Sequence, residues 1–317
     1  MGEALPHIPR ASIVLPTFNR RTLVGEAIES VLAQTERSFE LIVVDDGSTD
    51  GTAEYLVARY ADEPRVHVIR KLNGGSASAR NRGLDDVRAP WTAFLDSDDV
   101  WDPTYLARQL ATADAHPDAD AIVADLRLEG PWHRAGDTVF ALPGWRPATS
   151  MSAMLDGGWA LPTATLFRSS VIKRLRFDTE YSHNEDTELL FRFHANGHRL
   201  VLNREVLGAW RRHGEADAQP QKTLSEDGLT VEHLVLLEMY AHPEPRPRAI
   251  RRRIARMHAK RLLRDGRWKT ARPYLWQWWR LRPTSTRAMR LLVKSYLASG
   301  ARGEVGQAAT CARPSPD

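Results

Sequence analysis

The chain has 317 residues, of which 42% are hydrophobic, so it is long enough to bury the core of one large domain or of two smaller ones. Its one cysteine, Cys311, excludes an intrachain disulfide, and the sequence contains neither a signal-peptide segment nor an apolar run of roughly 18 residues, which predicts a cytoplasmic protein. The net charge of +4 is uneven, because residues 246–294 carry 17 Lys and Arg against one acidic residue. This basic stretch predicts an anionic partner.

The first half of the chain alternates short apolar runs with amphipathic segments. The runs at 11–16, 39–44, 65–70, 91–95 and 120–126 predict strands, with helices between them. Asp102 and Pro103 predict the N-cap and first position of the helix before the fifth strand. Residues 127–160 are predicted to form loops, and 161–203 a strand, two helices and a last strand. This pattern predicts an α/β fold whose mostly parallel sheet is flanked by helices.

The residues that follow the first four predicted strands are polar or rich in glycine. Their sequences are PTFN, DDGSTDGT, KLNGGSASARN and DSDD. Because ligands of parallel α/β sheets bind beyond the carboxyl ends of the strands, we expect these four segments to form one binding site.

The DSDD segment places Asp96 and Asp98 two residues apart at a strand end. Paired carboxylates can hold Mg²⁺ or Mn²⁺, usually together with phosphate oxygens of a substrate. Aspartate is also favoured in turns and at helix starts, and this alternative suits Asp99 and Asp102.

Two further segments are compatible with a bound nucleotide. In DDGSTDGT a carboxylate can accept an N–H group of a pyrimidine base, although the same residues also form ordinary turns. A phosphatase of the haloacid dehalogenase type needs carboxylates two residues apart, whereas Asp45 and Asp46 are adjacent. KLNGGSASARN offers Lys71 and Arg80 to a diphosphate, but it is not the GxGxxG motif of dinucleotide-binding enzymes.

Glu185 and Asp186 begin a predicted amphipathic helix in NEDTELLFRFHANGH. Acids in a first turn commonly compensate the helix dipole, and the functional alternative is a general base beside an acceptor hydroxyl. His213, in WRRHG, is either a surface or packing residue or a third metal ligand.

Residues 228–302 are predicted to be helical, after a linker at 215–227 and before a disordered tail at 303–317. The stretch RWKTARPYLWQWWRLRP is typical of amphipathic helices that lie on anionic membranes. The alternative is a subdomain that packs its tryptophans into its own core or into a homodimer interface. No nucleic-acid-binding motif accompanies the charge, so nucleic acid is not an expected partner.

Together, IVLPTFNR, FELIVVDDGSTDGT, NGGSASARNRGL, WTAFLDSDD, NEDTEL and WRRHG resemble glycosyltransferase family 2 in order and spacing. The resemblance covers residues 11–214 and implies a GT-A domain at 1–214. It also implies inverting transfer of a sugar from a nucleoside diphosphate sugar, with UDP favoured by family habit, to an acceptor hydroxyl. The QxxRW motif of processive polysaccharide synthases is absent, which favours single additions.

The resemblance also implies a role for each motif residue. Asp186 would be the catalytic base with Glu185 beside it, and Asp98 and His213 would hold Mn²⁺ or Mg²⁺. Asp96 would contact the ribose or the donor sugar. The residues that bind the nucleotide sugar would be Pro16, Thr17, Asn19, Asp45, Asp46, Lys71, Gly74, Gly75, Arg80 and Asp96.

The predicted function is a step in the synthesis of a cell-surface glycan or glycolipid, by an enzyme that is peripheral on the inner face of the membrane. One alternative is a transferase that modifies a peptide or a small natural product. Another is an inactive relative that binds nucleotides as a scaffold, which the presence of Asp96, Asp98 and Asp186 disfavours.

Overall fold

The computed structural model describes residues 8–130, 133–134, 136–142, 145–155, 159–179, 185–211, 255, 259, 262–263 and 268–300. The chain divides into two compact units, at residues 1–241 and 242–317. The predicted linker, the tail, His213 and most of the two helices predicted before residue 267 lie outside the described residues.

The described part of the first unit contains one sheet of eight strands. They are β1 (Ala11–Thr17), β2 (Phe39–Asp45), β3 (Val66–Arg70), β4 (Trp91–Phe94), β5 (Val100–Trp101), β6 (Ala121–Glu129), β7 (Thr165–Arg168) and β8 (Leu200–Arg211). Their order across the sheet is β3-β2-β1-β4-β7-β6-β8-β5. The first four pair in parallel, as do β6 and β8. Antiparallel β7 joins β4 to β6, and β5 pairs antiparallel with β8. The predicted parallel pairing is therefore confirmed for β1 to β4. The rest of the sheet, from β7 to β5, mixes parallel and antiparallel pairs.

Helices cover both faces of this sheet. They are α1 (Val24–Leu32), α2 (Thr52–Tyr60), α3 (Gly75–Asp86), α4 (Tyr105–Ala115), α5 (Met151–Leu155), α6 (Ser169–Leu175) and α7 (Glu185–Ala195). Side chains of a strand alternate between faces, so Ile13 and Leu15 join one hydrophobic core while Val14 joins the other. β1 and β2 are buried along their whole length, which explains their continuous apolar sequences.

Helix α3 packs unusually close to β1. A Cβ atom at Gly83 would lie 2.4 Å from Cγ1 of Val14, nearer than any real carbon contact. The absence of a side chain therefore sets the separation between helix and strand. This close packing places the N-terminus of α3, at Gly75, beside the carboxyl ends of the neighbouring strands.

Three details of the first unit differ from the sequence predictions. Helix α4 begins at Tyr105 with Thr104 as its N-cap, not at Pro103, and the carboxylate of Asp102 forms two hydrogen bonds with Arg127, at 2.7 and 2.9 Å, instead of capping the helix. The predicted loop at 127–160 contains the end of β6 and the short helix α5. Strand β5, with two residues, is too short to give a periodic pattern.

In the second unit, the two predicted C-terminal helices are present as α8 (Trp268–Leu281) and α9 (Thr286–Gly300). Their buried side chains include Leu275, Trp278 and Leu292. Trp276, by contrast, is 49% exposed, so the tryptophans divide between the interior and the surface. Within the described part of the chain, no helix combines the length and the apolar character needed to cross a membrane.

Candidate active site

The loops after β1 and β2 are joined to each other by hydrogen bonds. The N–H of Asp46 donates to the carbonyl of Thr17 at 2.9 Å, and Oδ1 of Asn19 accepts from the N–H of Thr49 at 2.8 Å. Asn19 has a φ of +51°, a left-handed conformation that asparagine tolerates better than most residues. The predicted convergence of these strand ends is therefore present. Pro16 lies in β1 opposite Val44 of β2.

Asp46 is buried and its carboxylate is held by the loop that follows β3. Its Oδ1 lies 2.6 Å from Nζ of Lys71, and its Oδ2 accepts from the N–H of Gly75 at 2.7 Å. The N–H of Gly74 reaches both carboxylate oxygens at 3.1 Å. The sequence predicts that these residues bind a ligand, and the structure brings them together through contacts with one another.

Asp45 lies deeper than Asp46. Its Oδ2 accepts from the N–H of Ser48 at 3.2 Å and lies 3.7 Å from Nε of Arg70. Its Oδ1 is buried with no hydrogen-bond partner among the described residues. Asp45 is completely inaccessible, so a direct ligand contact favours Asp46 over Asp45.

Arg80 joins the centre of the site to helix α7. Its Nη2 donates to Oδ1 of Asp96 at 2.7 Å, and its Nη1 donates to Oε1 of Glu185 at 2.8 Å. The hydroxyl of Ser76, one turn earlier in α3, donates to the same Glu185 oxygen at 2.6 Å. Burial disfavours the charged guanidinium, but Asp96, Glu185 and Asp186 outweigh this effect and raise the pKa of Arg80. One buried cation therefore balances several carboxylates.

Ser76 was not identified from the sequence. Ser76 lies four residues before Arg80, which places both side chains on one face of a helix. This spacing could have identified Ser76 as a neighbour of Arg80 in the site.

The DSDD segment forms a turn with concentrated negative charge. The N–H of Asp99 donates to the carbonyl of Asp96 at 3.0 Å, as expected for a turn residue. The side chain of Asp99 is buried, and its Oδ1 accepts from the N–H of Arg211 at 2.9 Å. Burial and the charges of Asp96 and Asp98 raise the pKa of Asp99 well above its ordinary value.

The chemistry of DSDD suits a divalent cation. Mg²⁺ and Mn²⁺ prefer carboxylate oxygens and are commonly held by one or two carboxylates together with phosphates of a substrate. Oδ2 of Asp99 is buried without a hydrogen-bond partner among the described residues, and a cation would offset the repulsion between neighbouring carboxylates. No group of three His, Cys, Asp or Glu in the described part of the chain forms a complete protein-only metal site. The donor set therefore fits a cation shared with a phosphate ligand.

Asp186 lies in the first turn of α7, on a small and mainly apolar cavity. Ala160, Pro162 and Leu189 also line this cavity. The Oδ1 of Asp186 accepts from the N–H of Thr187 at 2.6 Å. Burial, followed by the charge of neighbouring Glu185, raises the pKa of Asp186. A carboxylate with a raised pKa is suited to accept a proton.

Comparison with known families identifies the class of protein. The family model described as Glycosyl transferase family 2 matches residues 12–176, which is just over half of the chain. The chain therefore belongs to glycosyl transferase family 2, as predicted. The matched segment runs from β1 to the end of α6, so it contains Asp46 and DSDD but ends before Glu185 and Asp186.

Two relatives illustrate the range within the family. A putative teichuronic acid biosynthesis glycosyltransferase, TuaG, of Bacillus subtilis is 40% identical over 103 residues, which are 32% of this chain and 41% of that protein. Validoxylamine A glucosyltransferase of Streptomyces hygroscopicus subsp. jinggangensis is 29% identical over 245 residues, which are 66% of this chain and 57% of that protein. The chain thus spans less than two thirds of the length of these relatives.

Solved structures support the fold. TarS 1–349 of S. aureus in complex with UDP-GlcNAc has a TM-score of 0.67 and 19% identity, with 94% of this chain and 95% of that chain covered. The mannosyltransferase PcManGT from Pyrobaculum calidifontis, in complex with GDP-Man and Mn²⁺, has a TM-score of 0.53 and 19% identity, with 94% and 76% covered. The mixed eight-stranded sheet with flanking helices is thus the predicted GT-A fold.

Proposed function

We propose that the chain is an inverting glycosyltransferase that moves one sugar from a nucleoside diphosphate sugar to an acceptor hydroxyl. The observation that carries this proposal is the bridge formed by buried Arg80 between Asp96, at the end of β4, and Glu185, at the start of α7. The bridge brings the strand-end loops near the carboxylate of Asp186, which a transferase needs as a base. Membership of the family supports the same activity.

The donor site in this proposal lies over the loops that follow β1, β2 and β3. Pro16, Thr17 and Asn19 line the nucleotide pocket, and Asp46 accepts from the base. Gly74 and Gly75 allow close approach of the chain, and Lys71 or Arg80 contacts the base or the diphosphate. Asp96 contacts the ribose or the sugar. UDP is the proposed nucleotide, and the TarS complex with UDP-GlcNAc is consistent with this choice.

Asp98 and His213 are the proposed protein ligands of Mn²⁺ or Mg²⁺, with diphosphate oxygens as the other ligands. When bound, the cation would stabilise negative charge on the leaving diphosphate. The Mn²⁺ in the PcManGT complex supports divalent-metal chemistry on this fold.

Asp186 supplies the base. Its ionised carboxylate takes the proton of the acceptor hydroxyl while the acceptor oxygen forms a bond to the anomeric carbon. The bond between that carbon and the diphosphate oxygen breaks at the same time, through a state of oxocarbenium character. Because Asp186 must be ionised, the rate should fall as the pH drops through its raised pKa.

The test compares wild type with Asp186→Asn. A thermal-shift screen of nucleotide sugars with Mn²⁺ first identifies the donor, and transfer to water or to added acceptors is then measured. The variant should bind the donor with nearly unchanged affinity and lose transfer by at least about a hundredfold, the usual contribution of a general base. Near wild-type turnover by Asp186→Asn would refute the assignment. Donor binding without hydrolysis or transfer by wild type would instead favour the scaffold alternative.

For the acceptor we propose a glycan or glycolipid of the cell surface, in line with the name of the Bacillus relative. The second candidate is a small natural product, which the validoxylamine A relative favours. Transfer assays with both acceptor classes distinguish them.

We also propose that the second unit contacts an anionic membrane surface. Helix α8 exposes Lys269, Trp276 and Arg280, which are seven and four residues apart and so lie along one face. Anionic lipid attracts each basic residue by about 1 kcal/mol, and tryptophan suits the interface. Co-sedimentation with phosphatidylglycerol vesicles, but not with phosphatidylcholine vesicles, is expected, and Trp276→Ala should weaken it. Dimerisation through these helices is the competing hypothesis, and it predicts a concentration-dependent mass in solution instead.

A further inference from the structure

The two carboxylates that begin α7 are held in the same way. Oε1 of Glu185 accepts from the hydroxyl of Ser76 at 2.6 Å and from Nη1 of Arg80 at 2.8 Å. Oδ1 of Asp186 accepts from the N–H of Thr187 at 2.6 Å and from its hydroxyl at 3.3 Å. Oε2 of Glu185 and Oδ2 of Asp186 have no hydrogen-bond partner among the described residues. In each carboxylate, one oxygen therefore accepts two hydrogen bonds and the other accepts none from this part of the chain.

This asymmetry makes the two oxygens of Asp186 chemically different. A carboxylate oxygen has two lone pairs, and the two bonds from Thr187 occupy those of Oδ1. The lone pairs of Oδ2 remain available, so Oδ2 is the oxygen that can take a proton from a ligand. The other residues that line the cavity of Asp186, such as Pro162 and Leu189, carry no charge. No second ionised group of that lining competes with Oδ2 for the proton.

The hydroxyl of Thr187 is not used in the way that is usual in a helix. Threonine inside a helix commonly donates its hydroxyl to a carbonyl of the preceding turn. The hydroxyl of Thr187 donates to the carboxylate of Asp186 instead. The N–H of Thr187 already satisfies one of the unpaired donors of the first turn, so the start of the helix does not require the hydroxyl. The second bond therefore acts on the side chain of Asp186.

The first turn of α7 is also anchored from outside the helix. Ser76 and Arg80 belong to α3, and both donate to Glu185. With the turn anchored, rotation of the Asp186 side chain is the main remaining freedom of its carboxylate, and two bonds to one oxygen limit that rotation. A catalytic group must be held within about 0.5 Å of its productive position, and such bonds are the usual means.

We propose that Thr187 is a positioning residue of the base. It holds Oδ1 of Asp186, so that Oδ2 faces the acceptor hydroxyl and takes its proton. The acceptor oxygen bonds to the anomeric carbon as the bond from that carbon to the diphosphate oxygen breaks. This inference rests on the proposed transferase activity, and it adds the atom of Asp186 that reacts and the residue that selects this atom.

The charges around Asp186 determine the direction of the effect that a test should find. Burial raises the pKa of Asp186 most, Glu185 and Asp96 raise it further, and Arg80 lowers it. The hydrogen bond from the N–H of Thr187 also lowers this pKa, because a donor stabilises the ionised carboxylate. The hydroxyl acts in the same direction, so its removal should raise the pKa of Asp186. The acidic limb of the pH–rate profile should then move to higher pH.

The experiment follows the release of UDP from UDP-glucose and from UDP-GlcNAc by the full chain with Mn²⁺, across a range of pH. Thr187→Val keeps the shape of the side chain and the N–H but removes the hydroxyl. It should lower kcat about fivefold, the effect of one hydrogen bond, and leave KM for the donor unchanged. Thr187→Ser should stay within about twofold of wild type. Thr112→Val removes a hydroxyl that donates to the carbonyl of Arg108 in α4, and this matched control should behave as wild type does.

A measurement without substrate separates this inference from the proposed function. Carbon-13 NMR of the chain labelled at its aspartate carboxyl groups reports the pKa of Asp186, with Asp186→Asn to assign the resonance. That pKa should be higher in Thr187→Val than in wild type and Thr187→Ser, while calorimetry gives one UDP affinity for all three.

Two results would overturn the assignment of Thr187. If wild type releases UDP and Thr187→Val keeps the wild-type kcat or the wild-type pKa of Asp186, the positioning role is refuted and the transferase activity stands. If wild type binds UDP but turns over neither donor, the proposed function fails, and the positioning role fails with it even where the pKa shift is present.

Discussion

Nη1 of Arg80 lies 2.8 Å from Oε1 of Glu185, and this contact joins helix α3 to helix α7 across 105 residues of sequence. The same guanidinium holds Asp96 at 2.7 Å. One side chain thus links the DSDD turn directly to the helix that carries Asp186. The proposed donor contact of Asp96 and the proposed base Asp186 both depend on that separation, so Arg80 has a structural role whatever ligand it meets.

Replacing Arg80 with Met should destabilise the fold. The substitution removes the cation and leaves Asp96 and Glu185 as unpaired, partly buried charges. Removing one partner of a buried ion pair costs about 3 kcal/mol. Urea denaturation should therefore show a fall of this size in the free energy of unfolding.

Arg82→Met is the matched control for that measurement. Arg82 is on the same helix, but its pair with Asp86, at 3.0 Å, is largely exposed. Exposed pairs contribute little, so the change should stay within about 0.5 kcal/mol. Equal losses of unfolding free energy in Arg80→Met and Arg82→Met would show that the buried bridge contributes no more to stability than an exposed ion pair.

Gly83→Ala should also destabilise the protein, because the new methyl group would overlap with Val14. Overpacking of a core costs about 1–3 kcal/mol, and the better helix propensity of alanine returns up to about 1 kcal/mol. A net loss of about 1–2 kcal/mol is therefore expected in thermal or urea unfolding.

A double-mutant cycle with Val14→Ala tests the cause of that loss. Truncation of Val14 makes room for the methyl group, so the two substitutions should cost less together than the sum of their separate effects. Strictly additive losses would exclude the predicted overlap.

His194 should make the stability of the protein depend on pH. Burial lowers the pKa of His194 below its ordinary value of 6.5. Below pH 6.5 the unfolded chain therefore binds a proton that the folded protein resists, so stability falls as the pH drops from 6.5 towards the lowered pKa. Unfolding free energies at pH 7.5 and 5.5 should show this decline in wild type.

Two variants identify the group responsible. His194→Gln removes the titrating ring and should flatten the decline between the two pH values. His67→Gln changes an exposed residue of β3 and should leave the decline as it is in wild type. A decline that persists unchanged in His194→Gln would assign it to other groups.

Asp98→Ala should reduce the dependence of nucleotide binding on metal. Calorimetry of UDP with Mn²⁺ and with a chelator gives the increment that the metal adds to affinity. Since Asp98 is the proposed ligand, we expect this increment to fall by at least about tenfold, the lower end of effects seen when metal-site residues are changed. Asp62→Ala, at an exposed position, should keep the wild-type increment. The same increment in Asp98→Ala would remove this residue from the proposed metal site.

The fold from β1 to β4 was predictable because its signals are local. Each strand from β1 to β4 has its own apolar run, and each is followed directly by polar residues. The sequence thus predicted that Asp46 and Lys71 meet at one edge of the sheet. It did not predict that they form a 2.6 Å contact with each other, because that depends on the path of the loop between them.

The part of the site that helix α7 forms was harder to predict from the sequence. The contact between Arg80 and Glu185 depends on how α7 docks, and no local pattern encodes that position. Strand β5 pairs with a distant part of β8 and has only two residues. The motifs identified Glu185 and Asp186 as site residues, but they did not predict which side chains contact them.

The order of the strands along the chain has a consequence for folding during synthesis. Strands β1 to β4 and the DSDD turn all precede residue 100, and the four strands pair in parallel. A chain leaving the ribosome can therefore assemble this half early, since N-terminal segments fold first during synthesis. At that stage Arg80 has Asp96 as a partner, while Glu185 is still to be translated. The other half of the sheet is completed only when β8 inserts between β6 and β5, so we expect the sheet to form in two stages during synthesis.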